Sequence, residues 1–242
     1  ESVQHPKKYY DNNVLETLAF LKTLINHDIK RFVFSSTAAT FGEPESDKID
    51  ESHPQNPINP YGEGKLFIEK VLRDYDKAYD LKSICFRYFN AAGGDPDCEI
   101  GENHNPESHL IPLVLKAILG EIEQLKIFGT DYPTPDGTCI RDYIHVYDLV
   151  DAHILALEKL LEGSDSNDFN LGNGNGFSVK EVMTFAEEVT GQPVPYINSD
   201  RREGDPAILV ADSQKAKKVL DWSPQYTELS DIIYHAWNWL SK

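Results

Sequence analysis

Tyr61 and Lys65 stand four residues apart in Pro60-Tyr61-Gly62-Glu63-Gly64-Lys65, downstream of Phe34-Ser35-Ser36-Thr37. Side chains four apart on a helix are neighbours, and Pro60 suits a first helical turn, where its missing N–H costs nothing. A phenol beside an ammonium is an acid–base device. The free phenol titrates near ~10, and an adjacent cation favours the phenolate, so Tyr61 is expected to exchange protons near neutral pH. Such a group opens and closes carbonyls. Of the 12 tyrosines, only Tyr61 has Lys at the fourth position after it, and it follows a β-rich run ending in hydroxyl residues. On spacing alone, a surface Tyr at a helix start with a solvated Lys remains the plain alternative.

These side chains need elements to hold them. From about Val3 to His27 the residues Val14, Leu15, Leu18, Leu21 and Ile25 recur at helical intervals, and Arg31-Phe32-Val33-Phe34 reads as a buried strand. A Pro- and Asp-rich loop from Glu43 to Asn59 leads to the Tyr61 helix, expected to run to about Tyr79. Residues 83–89 then form another strand. This alternation implies a parallel sheet covered on both faces, with ligands at the C-terminal ends of its strands, where Ser35-Ser36-Thr37 and Asn90 fall. Beyond Asn90 the pattern predicts a long loop to Pro106, a helix from His109 to Leu119 and a strand from Leu125 to Phe128. A hairpin-like loop covers Gly129 to Gly137, and a helix runs from about Tyr147 to Leu161. Phe169 to Gly172 reads as a strand with a Gly-rich exit. Ser178 can cap a helix from Val179 to Thr190, and the chain ends helical. No internal repeat or low-complexity tract is present.

With 242 residues, 40% of them hydrophobic, the chain can bury a substantial core. No apolar run approaches the ~20 residues a membrane span needs, and the N-terminus carries no export signal, so no membrane partner is expected. A formal charge of −17 repels nucleic-acid phosphates, and no basic stripe offsets it. Cys85, Cys98 and Cys139 are odd in number and irregularly spaced, which suggests neither a disulfide framework nor a zinc site and fits a reducing cytoplasm.

Other groupings were weighed in the same terms. Glycines 172, 174 and 176 stand as G-x-G-x-G without the early position of a dinucleotide fingerprint, so a turn before a helix is expected there. Glu99, Glu102, His104, Glu107 and His109 are metal-ligand types, but without tight ligand spacing, and no metal is expected. Arg141 and Arg202 lie in turn-rich loops of a very acidic chain. Their guanidinium forks match phosphate oxygens, so a diphosphate is one reading, and ion pairs with Asp142 and Asp205 are the other.

Seven motifs in register resemble the extended short-chain dehydrogenase/reductases, and within them the sugar-nucleotide 4-epimerases: residues 9–13, 34–38, 61–65, 87–90, 131–138, 141–146 and 201–205. The resemblance covers essentially the whole chain. It implies an α/β fold, the C-terminal part of a doubly wound, Rossmann-type NAD domain (about residues 1–90) followed by a smaller UDP-sugar-binding domain (about 91–242). Segments near 140–170 are expected to return to the first sheet. It further implies NAD-dependent interconversion of UDP-glucose and UDP-galactose through transient oxidation at the sugar 4-position. Tyr61 would be the acid–base phenol, Lys65 would hold the nicotinamide ribose, and Thr37 would bond the 4-hydroxyl. Asn12, Ser35, Ser36, Tyr61, Lys65, Tyr88 and Phe89 would meet NAD. Thr37, Asn90, His109, Leu110, Phe128, Arg141, Tyr143, Arg202 and Asp205 would meet the UDP-hexose.

Departures from the family pattern carry their own expectations. His109 replaces an Asn of some relatives, and Leu209 stands where others carry Tyr or Cys beside the sugar, which leaves acceptance of N-acetylated sugars open. The Gly-rich strand–turn–helix that seats the NAD pyrophosphate is missing from these residues. Roughly 90 residues of βαβ units are therefore expected ahead of Glu1, and these residues alone are expected to bind NAD poorly and to expose sheet edge. A homodimer through the helices at 3–27 and 61–79 is implied. Alternative readings are a non-catalytic UDP-sugar-binding fragment and a related decarboxylase or dehydratase, though Ala38-Ala39 argues against the dehydratases.

Overall fold

The computed structural model describes residues 1–202 and 204–242; Glu203, within the Arg201 to Asp205 motif, lies outside the described residues. The chain opens with α1 (Pro6–Tyr10), a π-helical turn (Asp11–Leu15) and α2 (Glu16–Asn26). β1 (Arg31–Thr37), a 3-10 turn (Ala38–Thr40), α3 (Pro60–Tyr79), β2 (Lys82–Tyr88) and β3 (Asn90–Ala92) follow. Next come α4 (Leu110–Ile118), β4 (Leu125–Phe128), β5 (Ile140–His145), α5 (Val146–Leu161), β6 (Asn167–Leu171) and β7 (Gly176–Ser178). The last elements are α6 (Val179–Thr190), β8 (Tyr196–Ser199), β9 (Ile208–Leu209), α7 (Gln214–Leu220) and α8 (Leu229–Leu240). They divide into two compact units: residues 1–88, 151–171 and 212–222, and residues 89–150, 172–211 and 223–242.

In the first unit β1, β2 and β6 form a parallel sheet in that order, with Ser36 opposite Arg87 and Thr37 opposite Tyr88. Parallel strands need crossover helices that cover the sheet, so β2 is buried from Ser83 through Arg87. Leu21 and Leu24 of α2 pack with Ile68 and Leu72 of α3 against Phe34 and Cys85. The α3 start is built as its sequence dictates: the Asn59 side chain accepts from the Gly62 amide at 2.9 Å and Pro60 opens the first turn. Gly62 is required because an added Cβ would come within 2.4 Å of the Ala39 carbonyl oxygen. That close approach sets α3 directly against the turn that follows Thr37.

In the second unit β5 pairs in parallel with β3 and β9 and antiparallel with β7, while β4 pairs in parallel with β8. Val114 and Leu115 of α4, Val182 and Met183 of α6, and Ile232 and Ile233 of α8 are central to its core. Ser178 completes a reciprocal cap with Glu181 at the start of α6. The glycine-rich segment wraps a buried carboxylate: Asp142 accepts from the amides of Asn173 at 2.8 Å, Gly174 at 2.9 Å and Ala211 at 3.1 Å. A Cβ at Gly172 would lie 2.5 Å from an Asp142 oxygen, so these glycines serve a turn that closes on Asp142. Strands β3, β5, β7, β8 and β9 and helix α7 were not anticipated, Arg141 lies in β5 rather than in a turn-rich loop, and the first helix is interrupted by the π-helical turn.

Candidate active site

In the first unit β1 ends at Thr37, whose hydroxyl accepts from the Ala39 amide at 3.2 Å and forms a side-chain hydrogen bond with Tyr61. Lys65, one turn along α3, donates to the Ser35 carbonyl at 2.9 Å, and its Nζ lies 5.9 Å from the Tyr61 ring centre and 5.0 Å from that of Phe34. Burial pushes the Tyr61 phenol above the usual tyrosine value, with the Thr37 bond opposing it, and burial pulls the Lys65 ammonium down. The lowered phenol expected from Tyr–Lys proximity is therefore not produced by these side chains, because desolvation of the buried phenol dominates. Tyr9 meets Tyr61 edge to face at 6.0 Å.

Around this pair, the Tyr88 hydroxyl donates to Ser35 Oγ at 2.6 Å and lies 2.7 Å from His153 Nε2; burial pushes its pKa up to about 12. Ser36 donates to fully buried Glu69 at 2.5 Å, and Glu69 in turn receives Arg87 through two bonds of 2.8 and 3.1 Å. Asn12 is exposed in the π-helical turn. Phe89 is buried and belongs to the second unit. Neither Glu69 nor His153 was singled out in the sequence. The readable signal for Glu69 was an acid on the apolar stripe with Ile68 and Leu72.

The second unit contains a cavity of about 590 Å³ lined by Asn90, His109, Leu110, Phe128, Arg141, Tyr143, Arg202 and Asp205, with Cys139 among the remaining walls. Arg141 pairs with Asp205 and donates to its neighbouring Ile140 carbonyl at 2.7 Å, while Asp142 turns to the buried amides. Arg202 lays its guanidinium over Phe128 at 3.8 Å. Asn90 donates to the Asp142 carbonyl at 2.9 Å. Leu110 opens α4, whose first amides face no capping side chain from His109. Burial lifts the Tyr143 and Cys139 pKa values. Leu209 is half-buried in β9 opposite Arg141.

The histidine-bearing loop differs from its sequence reading. Glu102, His104, Glu107 and His109 bring one ligand atom each to within 4.8 Å of one another. Residues distant in a loop carry no periodicity, so linear spacing concealed this convergence. Hydrogen bonding to Glu102 holds the His109 imidazole above its usual pKa.

The profile of the NAD dependent epimerase/dehydratase family matches residues 1–172. The chain belongs to this family. A UDP-glucose 4-epimerase from Halalkalibacterium halodurans is 56% identical over 239 residues, which are 99% of this chain and 72% of that protein. Among solved structures, UDP-glucose 4-epimerase from Brucella ovis, in complex with NAD, aligns with a TM-score of 0.95 at 46% identity, covering 98% of this chain and 73% of that one. The enzyme from Bifidobacterium longum, in complex with NAD+ and UDP, aligns at 0.94 and 38% identity, covering 99% and 72%. In this chain the hydroxyl comes from the end of β1 and the tyrosine and lysine from α3, and NAD is the cofactor.

The donors of the first unit fit NAD on their own chemistry. Lys65 has three N–H donors and spends one on Ser35, leaving two for ribose hydroxyls, and exposed Ser35 supplies a further hydroxyl.

Proposed function

We propose that this protein interconverts UDP-glucose and UDP-galactose by transient oxidation at the sugar 4-position. The observation that carries the reading is the Thr37–Tyr61 hydrogen bond with Lys65 on the next turn, in a chain similar throughout to UDP-glucose 4-epimerases. Tyr61 accepts the 4-hydroxyl proton and later returns one to the same oxygen; the hydride that NAD would take from the 4-carbon would return to that carbon, so the net redox change is zero. Thr37 holds that oxygen and the phenol together. Lys65 holds the cofactor ribose, and Asn12, Ser35, Ser36, Tyr88 and Phe89 complete the cofactor contacts. Bound NAD supplies the hydride acceptor and a positive charge. Because burial raises the phenol of the free chain, a second cation near Tyr61 is needed before the phenolate is favoured.

The cavity of the second unit suits the UDP moiety. Its volume lies within the ~300–1,000 Å³ of small-molecule sites. The uncapped amides at the α4 start and the guanidinium groups of Arg141 and Arg202 suit a diphosphate, and the Phe128–Arg202 stack offers a flat face to a base. Binding the nucleotide firmly and the sugar loosely lets the 4-keto sugar turn over between hydride transfers. Residues 1–90 are read as mainly cofactor-binding and 91–242 as mainly sugar-nucleotide-binding. Exposed Leu15, Phe20, Phe67 and Tyr79 support a homodimer, and three free cysteines support a cytoplasmic setting. No described helix is long and apolar enough to cross a membrane.

The test is conversion of UDP-galactose to UDP-glucose by the purified protein with and without NAD. NAD-dependent turnover supports the reading. Saturable UDP binding without turnover in the presence of NAD contradicts it and identifies a binding protein.

A further inference from the structure

We propose that the loop between β3 and α4 binds a divalent cation of zinc type through Glu102, His104, Glu107 and His109. His109 Nδ1 lies 2.7 Å from Glu102 Oε1 and 3.0 Å from Glu107 Oε1, and His104 Nδ1 lies 3.6 Å from that same Glu107 oxygen. A tetrahedral zinc with bonds of about 2.1 Å sets its ligand atoms about 3.4 Å apart. The observed spacings bracket that edge, and all four ligand atoms fit within 4.8 Å. Contraction onto one ion therefore requires shifts of an ångström or less, within the reach of side chains that are exposed (His104, His109) or half-buried (Glu102, Glu107).

The donor set decides the ion class. Two imidazoles and two carboxylates suit zinc, whereas calcium and magnesium take oxygen ligands in greater number. Four protein ligands close a tetrahedral shell, as structural zinc sites do, leaving no position for a reacting water. In a chain of net charge −17, the carboxylates of Glu102 and Glu107 converge on the His109 imidazole, with the amides of Ser108 and His109 also donating to Glu107. The mutual repulsion of these carboxylates is relieved by positive charge at that point. The loop backbone holds these residues in place: Glu107 Oε1 accepts from the amides of Ser108 at 2.6 Å and His109 at 2.8 Å, and the Trp239 indole donates to the main-chain carbonyl of Glu102 at 2.9 Å. An ion there ties an irregular loop to the first turn of α4.

His109 also lines the sugar-nucleotide cavity, so the variants below leave it in place, and failure of metal binding leaves the reaction proposed above untouched. The test titrates metal-stripped, tag-free protein with Zn2+ by calorimetry and with Co2+ by visible absorption. One equivalent of Zn2+ and the intense bands of tetrahedral Co2+ are expected. Loss of an outer partner of a metal ligand costs about 10–100-fold in affinity, so His104→Gln and Glu102→Gln should each weaken Zn2+ binding by at least tenfold. Slower proteolysis within residues 99–108 on adding Zn2+ is the accompanying sign. Absence of the Co2+ bands in the unaltered protein overturns the proposal without reference to any variant. Zn2+ affinity unchanged in both variants overturns it equally, by locating the ion elsewhere.

Discussion

Replacing Glu69 by Met should destabilise the first unit by about 3 kcal/mol. Glu69 is fully buried and accepts five hydrogen bonds, from Ser36, Gln55, Arg73 and two from Arg87. Arg87 is only 1% exposed, so removing its main partner leaves a buried guanidinium. Breaking a buried pair from one side costs ~3–5 kcal/mol. The low end applies here because Asp168 still accepts from Arg87 at 3.1 Å. For a chain of this size, ~2–4 °C of melting temperature accompanies each kcal/mol, so a fall of about 6–12 °C is expected. The double variant Glu69→Met/Arg87→Met removes both charges and should be more stable than Glu69→Met alone, since no buried charge is then stranded. Equilibrium urea unfolding of wild type, both single variants and the double variant closes the cycle. A loss below about 1 kcal/mol for Glu69→Met, or a double variant as unstable as the summed singles, would refute the reasoning. The site depends on this network because Ser36, held by Glu69, precedes Thr37 in β1.

Asp142→Asn should cost about 2–3 kcal/mol, because an amide cannot accept from the three buried N–H groups as the carboxylate does; thermal unfolding reads it. Ser178→Ala removes the hydroxyl half of the α6 cap and the bond to Asp136, while the Ser178 amide still donates to Glu181, and a loss of about 1–2 kcal/mol in urea unfolding is expected. His145 is fully buried between His235 and Tyr226, and burial, with the His235 charge, lowers its pKa from 6.5 to about 4. The unfolded chain then binds more protons between those values, so stability is complete above about pH 6.5 and falls toward pH 4, by at most roughly 3 kcal/mol. Urea unfolding at several pH values should show a shallower decline in His145→Gln, and identical slopes would count against this assignment.

The parts of the site legible in the sequence were those with local periodicity. The Tyr61–Lys65 spacing follows from the helix repeat, and Pro60 marks where that repeat begins. Ser178 and Glu181 announce the α6 cap by their spacing of three. Thr37 was reached through family resemblance, since a hydroxyl at a strand end says nothing by itself of a neighbour 24 positions on. Arg141, Arg202 and Asp205 stand out by charge chemistry, whereas Asn90, His109, Leu110, Phe128 and Tyr143 come from resemblance; that Arg141 and Asp205 pair across 64 positions is a distance no local pattern spans. The amides that Asp142 accepts from lie 31, 32 and 69 positions away, beyond what the adjacent Arg141 could suggest in the sequence. The strands β3, β7, β8 and β9 have two to four residues each, too few for alternation to register. Spacing reveals the cation's proximity to Tyr61 but not the burial that raises the phenol's pKa in these side chains.

The role of Tyr61 is tested most directly by turnover of UDP-galactose in Tyr61→Phe beside wild type, at saturating substrate and NAD, with UDP affinity measured in parallel. Loss of the acid–base group should lower kcat by about 10²–10⁴-fold, while UDP affinity stays within twofold of wild type. A variant that turns over at the wild-type rate would contradict the assignment of Tyr61 as the group that moves the 4-hydroxyl proton.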